Sequence, residues 1–243
     1  IVKSEVRINK YLSEIGYCSR READRMIAAD RVTINGRVPE MGTKIVPGDE
    51  VRVDGELVSP PQEQPVYIAF NKPVGIVCTT DTTQKDNIVD YINHPQRIFH
   101  IGRLDKPSEG LILLTSDGDI VNKILRAGNA HEKEYIVKVN KPIVGDFLEK
   151  MSNGVPILGV VTQKCQVRQM KKDTFRIILT QGLNRQIRRM CDFLGYKVVA
   201  LKRVRIMNIK LDLPRGKWRD LSKTELDELK HLVKGSSKTQ SGT

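Results

Sequence analysis

Three prolines fall within eight residues, Val58 to Pro65 (VSPPQEQP), a stretch with little to bury. Proline fixes φ and removes a backbone donor, so this run suits neither a helix interior nor a central strand. It reads as a semi-rigid linker over 58–65. The chain is therefore expected to fold as a small module over 1–57 and a larger domain over 66–234. A polar tail, expected to be disordered, follows over 235–243. With 243 residues, 39% of them hydrophobic, a packed core is within reach.

In the module, Ile8, Tyr11, Leu12 and Ile15 fall on one helical face, and Gly16 ends that helix. Ser19-Arg20-Arg21-Glu22 reads as a capping box opening a second helix that buries Ala23, Met26 and Ile27. Arg20 and Arg21 stand in its first turn, where they oppose the helix dipole. Charge in that position suggests contact with phosphate. Asn35-Gly36 and Asp54-Gly55 are hairpin turn signals between short apolar runs.

Beyond the linker, strand patterns are expected at Val66–Phe70, at Ile76–Cys78 as its partner, and at Arg97–Ile101 and Leu111–Thr115. Others follow at Tyr135–Val139, Val160–Val167, Phe175–Leu179 and Val198–Ile209. Ser116-x-x-Asp119 and Ser222-x-x-Glu225 are helix starts, the first burying Ile120, Ile124 and Leu125, the second Leu226, Leu229 and Val233. Phe147, Leu148 and Met151 mark another helix, and Ile187, Met190, Cys191 and Leu194 one closed by Gly195. Strands outnumber helices without alternating with them, which predicts α+β with a mostly antiparallel mixed sheet flanked by helices and loops.

Charge narrows the partner. The net formal charge is +12, and residues 1–57 contribute none of it, with 10 basic and 10 acidic side chains. Lys164 to Arg219 alone holds 16 basic residues against three acids. A basic surface of this kind favours a polyanion, because each phosphate contact releases counterions. Cys18, Cys78, Cys165 and Cys191 form no C-x-x-C pair, and the four histidines form no ligand motif, so no metal is expected. Scattered thiols read as reduced, and a cytoplasmic setting is expected. No run approaches the roughly 20 apolar residues of a membrane span, and no signal peptide is visible. No glycine-rich phosphate loop follows a strand, so no cofactor is expected.

Three loops hold the candidate chemistry. In His100–Leu111 (HIGRLDKPSEGL), Asp105 lies between Arg103 and Lys106 in a loop between apolar strands. An ionised, positioned carboxylate can act as a nucleophile. The same spacing also suits a turn carboxylate paired with Arg103. In HEKEYIV, Tyr135 opens a strand and could stack on a base or pack in the core. In QGLNRQIRRM, Arg185, Arg188 and Arg189 crowd a helix start, where free N–H groups also bind anions.

Taken together, GRLDKPSEGLILLT, HEKEYIV and QGLNRQIRRM resemble the RsuA/RluF group of pseudouridine synthases, with NKPVGIVCTT and LKRVRIMNI matching as well. RINKYLSEIGYCSRREADRMI, VTINGRV and PGDEVRV resemble the S4-like RNA-binding module over about 6–57. The resemblance spans roughly 6–233. It implies a small S4-like module followed by a pseudouridine-synthase-type domain that isomerises uridine in structured RNA without a cofactor. Asp105 is implied as the catalytic carboxylate, attacking C1′ or assisting cleavage by another route. Tyr135 would stack on the base, Arg185 would pair with Asp105, Arg103 would hold the flipped nucleotide, and Leu201 would shield the site. Asn184, Arg188 and Arg189 would contact RNA backbone, and Arg7, Lys10, Ser19, Arg20, Arg21 and Arg25 would lie near RNA in the module. Large-subunit (23S) ribosomal RNA is the expected substrate, with tRNA and small-subunit rRNA as alternatives. A monomer without a membrane partner is expected. The rivals are a non-catalytic RNA-binding or ribosome-assembly protein, and an RNA methyltransferase, which lacks its glycine-rich loop here.

Overall fold

The structure, a computed structural model, describes residues 5–59, 64–125 and 131–234. The expected tail and the middle of the proline-rich stretch lie outside the described residues. The chain divides into two compact units, Ile1–Val66 with Ser116–Asp119, and Tyr67–Thr115 with Ile120–Thr243.

The first unit runs β1 (Val6–Arg7), α1 (Ile8–Glu14), α2 (Arg20–Ala28), β2 (Val32–Ile34), β3 (Lys44–Ile45), β4 (Val51–Val53) and β5 (Glu56–Leu57). Helix α1 buries Ile8 and Leu12, with Tyr11 and Ile15 packed beside them, as the periodicity requires. Ser19 caps α2 by accepting from the Glu22 N–H at 3.1 Å. The box is only half formed, because the Glu22 carboxylate turns to Arg25 instead. Asp54-Gly55 closes the β4–β5 hairpin with both residues left-handed, φ 52° and 82°. Asn35-Gly36 has the same geometry but links only Ile34 to Arg37; β2 pairs with β4, and Val38 is exposed.

The second unit begins with β6 (Tyr67–Lys72), α3 (Ile88–Ile92), β7 (Phe99–Ile101) and β8 (Glu109–Thr115). Helix α4 (Gly118–Leu125), β9 (Lys133–Val139), α5 (Phe147–Asn153), β10 (Pro156–Ile157) and β11 (Val160–Val161) come next. The chain continues through β12 (Gln166–Lys171), β13 (Thr174–Leu179), α6 (Gln186–Phe193) and β14 (Val198–Ile206). It ends with β15 (Ile209–Lys210), β16 (Trp218–Asp220) and α7 (Lys223–Val233). Nine strands form one sheet in the order β12-β13-β9-β14-β8-β6-β16, with β7 on β8 and β15 on β14. Every pairing is antiparallel except β14 with β8, so the expected mostly antiparallel mixed sheet is what forms.

That one parallel contact is short. Lys202 pairs with Glu109 and Arg203 with Gly110, after which β7 takes over as the neighbour of β8. The two halves of the sheet are thus joined at a narrow seam. Gly110 makes the seam possible: its φ is +109°, and a Cβ there would lie 2.2 Å from the Arg203 carbonyl oxygen. On one side of the seam, Val137, Phe175, Ile177, Leu179 and Leu201 pack under α5 and α6. On the other, Tyr67, Ala69, Leu111 and Leu113 pack with α4 and α7. Helix α7 starts on a complete capping box: Ser222 Oγ accepts from the Glu225 N–H at 3.2 Å, and Glu225 accepts from the Ser222 N–H at 2.8 Å.

Four expectations change. Ile76–Cys78 is not the partner of β6, which pairs with β8 and β16; Val77 makes only a bridge to Asn87. That segment instead surrounds the fully buried Lys72, whose Nζ donates to the Pro73 and Ile76 carbonyls at 2.9 and 2.8 Å. Leu125 is exposed at the end of α4, which starts at Gly118, and the Asp119 side chain lies outside the description. The run Val160–Val167 splits, because Thr162 turns inward to accept from the Val155 N–H at 2.9 Å. The run Val198–Ile209 breaks at Met207, φ 52°, into a tight turn between β14 and β15.

Gly110→Ala should therefore destabilise the protein by at least about 2 kcal/mol, from the clash and the left-handed φ together. Gly145→Ala, with φ +61° but open space around it, should cost only about 1 kcal/mol. Urea unfolding of the two variants checks the difference.

Candidate active site

The loop between β7 and β8 leaves the sheet at the seam. His100 Nδ1 lies 2.7 Å from the Gly102 carbonyl, and Gly102 takes φ +76°. The Ser108 N–H donates to the Asp105 carbonyl at 2.9 Å, closing a turn. The Gly75 N–H bonds the Lys106 carbonyl at 2.9 Å, tying the loop to the segment after β6. These bonds aim the Asp105 carboxylate outward and leave it half-buried.

Its cationic partners come from across the cleft. Arg188 Nε lies 3.6 Å and Arg185 Nε 3.8 Å from the same oxygen, Oδ2. These are ion-pair contacts, beyond hydrogen-bond length. The two arginines differ in anchoring. Arg185 caps α6 in the left-handed region, φ 49°, with its side chain 54% exposed. Arg188, one turn on, is 13% exposed and also donates to Ser108 Oγ at 2.9 Å and to the Pro107 carbonyl at 3.3 Å. Arg188, the expected RNA-backbone contact, braces the loop that carries Asp105. Lys106, expected beside Asp105, pairs with Asp86 at 2.5 Å. Arg103 is exposed, and among the described residues the ion pairs of Asp105 are those with Arg185 and Arg188.

Tyr135 on β9 and Leu201 on β14 complete the floor. A cleft of about 480 Å³ is lined by Arg103, Asp105, Tyr135, Arg185, Arg188 and Leu201 among others. A larger hollow of about 1320 Å³ adjoins it along Arg103, Asp105, Lys106, Asn184 and Arg185. The structure therefore brings the three separate loops into one site. Asn184 is exposed and accepts from Arg189 through both its carbonyl and its side-chain oxygen, at 3.1 and 3.2 Å.

Arg203 is a site residue the sequence reading missed. It is buried, pairs in register with Tyr135, holds its guanidinium 6.0 Å from that ring, and donates to the Leu111 carbonyl at 2.6 Å. Its signal was available: it stands two residues from inward-facing Leu201 on a strand, the period of one sheet face. Lys72 is a further buried cation nearby, and Lys133 is partly buried. Burial, with Arg203 adding to it, pushes the Lys133 ammonium down to about 8. Burial likewise lowers Lys72 from its usual range.

In the first unit, Arg7, Arg20 and Arg21 are exposed and make no ion pair among the described residues. Lys10 pairs with Glu14 at 3.4 Å and Arg25 with Glu22. Ser19 is occupied as a helix cap.

Residues 66–193 match the model of the RNA pseudouridylate synthase family. The chain belongs to the RNA pseudouridylate synthase family. Residues 6–51 match the S4 domain, so the two expected modules are both present. Over 236 residues the chain is 58% identical to the dual-specificity RNA pseudouridine synthase RluF of Escherichia coli (strain K12), covering 96% of this chain and 81% of that protein. It is 56% identical to RluF of Salmonella typhi, covering 98% and 83%. The ribosomal large subunit pseudouridine synthase B of Bacillus subtilis (strain 168) is 34% identical, covering 93% of this chain and 96% of that one. A crystal structure of a pseudouridylate synthase superposes with a TM-score of 0.68 at 29% identity, covering 92% of this chain and 99% of the other. The chain is thus a pseudouridine synthase, an isomerase, and the non-catalytic and methyltransferase alternatives fall away. Among the described residues no helix is long and apolar enough to cross a membrane.

For this synthase the geometry ranks the two arginines. Arg188→Ala should lower the single-turnover rate about 10- to 100-fold, the equivalent of about 1.4–2.7 kcal/mol of barrier. Arg185→Ala should lower it less. Rates measured at saturating enzyme, with RNA affinity measured alongside, check the order; equal losses would mean that burial does not decide which arginine matters.

Proposed function

We propose that Asp105 is the catalytic carboxylate of a synthase that isomerises selected uridines in structured RNA, large-subunit (23S) ribosomal RNA first among them. The N1–C1′ bond breaks, the uracil turns, and a C5–C1′ bond forms. The C5 proton leaves and N1 regains one, so nothing is oxidised or reduced. Glycosidic cleavage builds positive charge at C1′, which a carboxylate stabilises or captures. The observation that carries this reading is the meeting of Asp105, Arg188, Arg185, Tyr135 and Leu201 in one cleft.

Arg188 and Arg185 hold the carboxylate in place from across the cleft. Tyr135 stacks on the target base, Leu201 screens the reacting atoms from water, and Arg103 holds the nucleotide out of its stack, a step that costs a few kcal/mol. Asn184, which lines the larger hollow, and Arg189, which donates to Asn184, meet the RNA backbone. Arg7, Arg20 and Arg21 supply free cations from the S4 domain, with Lys10 and Arg25 beside them. Relatives named dual-specificity support a second RNA substrate beside 23S rRNA, tRNA or small-subunit rRNA. The cysteines are all free, which supports a cytoplasmic enzyme.

Pseudouridine mapping of 23S rRNA and tRNA, incubated with wild type and with Asp105→Asn, tests this. Wild type should modify one or a few uridines. Asp105→Asn should modify none while binding RNA within about threefold of wild type. Modification by the variant at a comparable rate would remove Asp105 from the chemistry.

A further inference from the structure

The sheet half made of β12, β13, β9 and β14 has two unlike faces. The face carrying Phe175, Ile177, Leu179, Val137, Val139 and Leu201 is covered by α5 and α6. The alternate residues point the other way, and none of them belongs to any of the hydrophobic cores. Strand register places these side chains in transverse rows. One row reads Arg168, Arg176, Ile136, Lys202. Beside it lies Lys171, Thr174, Lys138, Ala200, and on the other flank Gln166, Ile178, Glu134, Arg205. The three rows hold six cations and one carboxylate.

Glu134 is already used, accepting from Arg176 at 2.6 Å and from Arg205 at 2.9 Å. Lys138 reaches Asp173 at 3.7 Å. Arg168, Lys171 and Lys202 have no carboxylate partner among the described residues. Arg168 and Arg176 stand directly opposite each other across β12 and β13, an arrangement that costs a sheet stability. Charges on an edge strand such as β12 can serve to block edge-to-edge pairing. That purpose does not account for Lys138, Lys202 and Arg205, which stand on the central strands β9 and β14. Ion pairing does not account for the three unpaired cations either.

We propose that this open face is a second RNA-contacting surface, separate from the catalytic cleft, that binds the sugar-phosphate backbone of a folded RNA. Neighbouring strands lie about 4.8 Å apart, so the cations span a width of about 14 Å. The rows carry no aromatic platform for bases, and their three unpaired cations, two of them lysines, match phosphate as the group recognised. The surface therefore adds affinity for large structured RNA without reading its sequence. Its side chains take no part in the cleft, so a short hairpin substrate does not need it.

The test is binding of a 30-base-pair RNA duplex with no unpaired uridine, titrated across salt. Arg168→Gln, Lys171→Gln and Lys202→Gln together should weaken binding roughly tenfold at low salt. They should also reduce the log–log salt slope by about 2–3, since each lost phosphate contact removes about 0.7–0.9. The charge-preserving variant Arg168→Lys, Lys171→Arg, Lys202→Arg should bind like wild type, which separates charge from folding. Turnover of a short hairpin by the Gln variant should stay unchanged. An unchanged affinity and slope in the Gln variant would overturn the proposal and leave the face to a protein partner. The proposal rests on RNA as the substrate, but its readout is duplex binding. Failure to form pseudouridine would thus remove the enzymatic reading without altering this result.

Discussion

The close approach of β8 to β14 at Gly110 and Arg203 is the contact on which the catalytic unit depends. Only two residue pairs join the halves of the sheet there, and only a residue without a Cβ lets the backbones meet. Just before this contact the chain forms the loop that carries Asp105. Just beneath it, Arg203 ties the two halves by donating to the Leu111 carbonyl and lies against Tyr135. Helix α6, packed on the β9–β13 side, then delivers Arg188 and Arg185 to a carboxylate that belongs to the β7–β8 side. A cleft whose groups come from both halves is a consequence of where the sheet is pinched.

Charge is organised around the same place. Lys72, Lys133, Arg188 and Arg203 are wholly or largely buried there, and burial holds Lys72, Lys133 and Arg188 below their ordinary pKa. Buried cations are costly unless they are hydrogen-bonded or balanced. Carbonyls serve Lys72, Lys133 and Arg203, and Asp105 and Ser108 serve Arg188. The surplus of positive charge raises the local concentration of a polyanion and favours its docking at the cleft.

Much of this was legible in the sequence. Local signals held at the Ser222 box, the Ser19 cap, the Asp54-Gly55 hairpin and the apolar face of α1. The three loops were legible as a set through their resemblance to one family, because each taken alone also suits a turn carboxylate, a packed aromatic or a charged helix start. What was lost depended on long-range pairing. Ile76–Cys78 looks like a strand, yet it is taken up in enclosing Lys72. Arg203 shares the face of Leu201 by period, but its burial follows only from β8 and β9 flanking its strand. The spacing of Arg188 cannot reveal that Ser108 and Pro107 lie beside it. Glu22 was misjudged for a local reason, since Arg25 competes for it one turn away.

The most direct measurement of this account is the single-turnover rate of Gly110→Ala, taken at a temperature where the variant remains folded by circular dichroism. Widening the seam should shift Asp105 away from Arg188 and Tyr135. The account predicts a rate at least about tenfold below wild type, with RNA affinity little changed. A folded Gly110→Ala enzyme that works at the wild-type rate would contradict it, and would show that the cleft is assembled by contacts other than the seam.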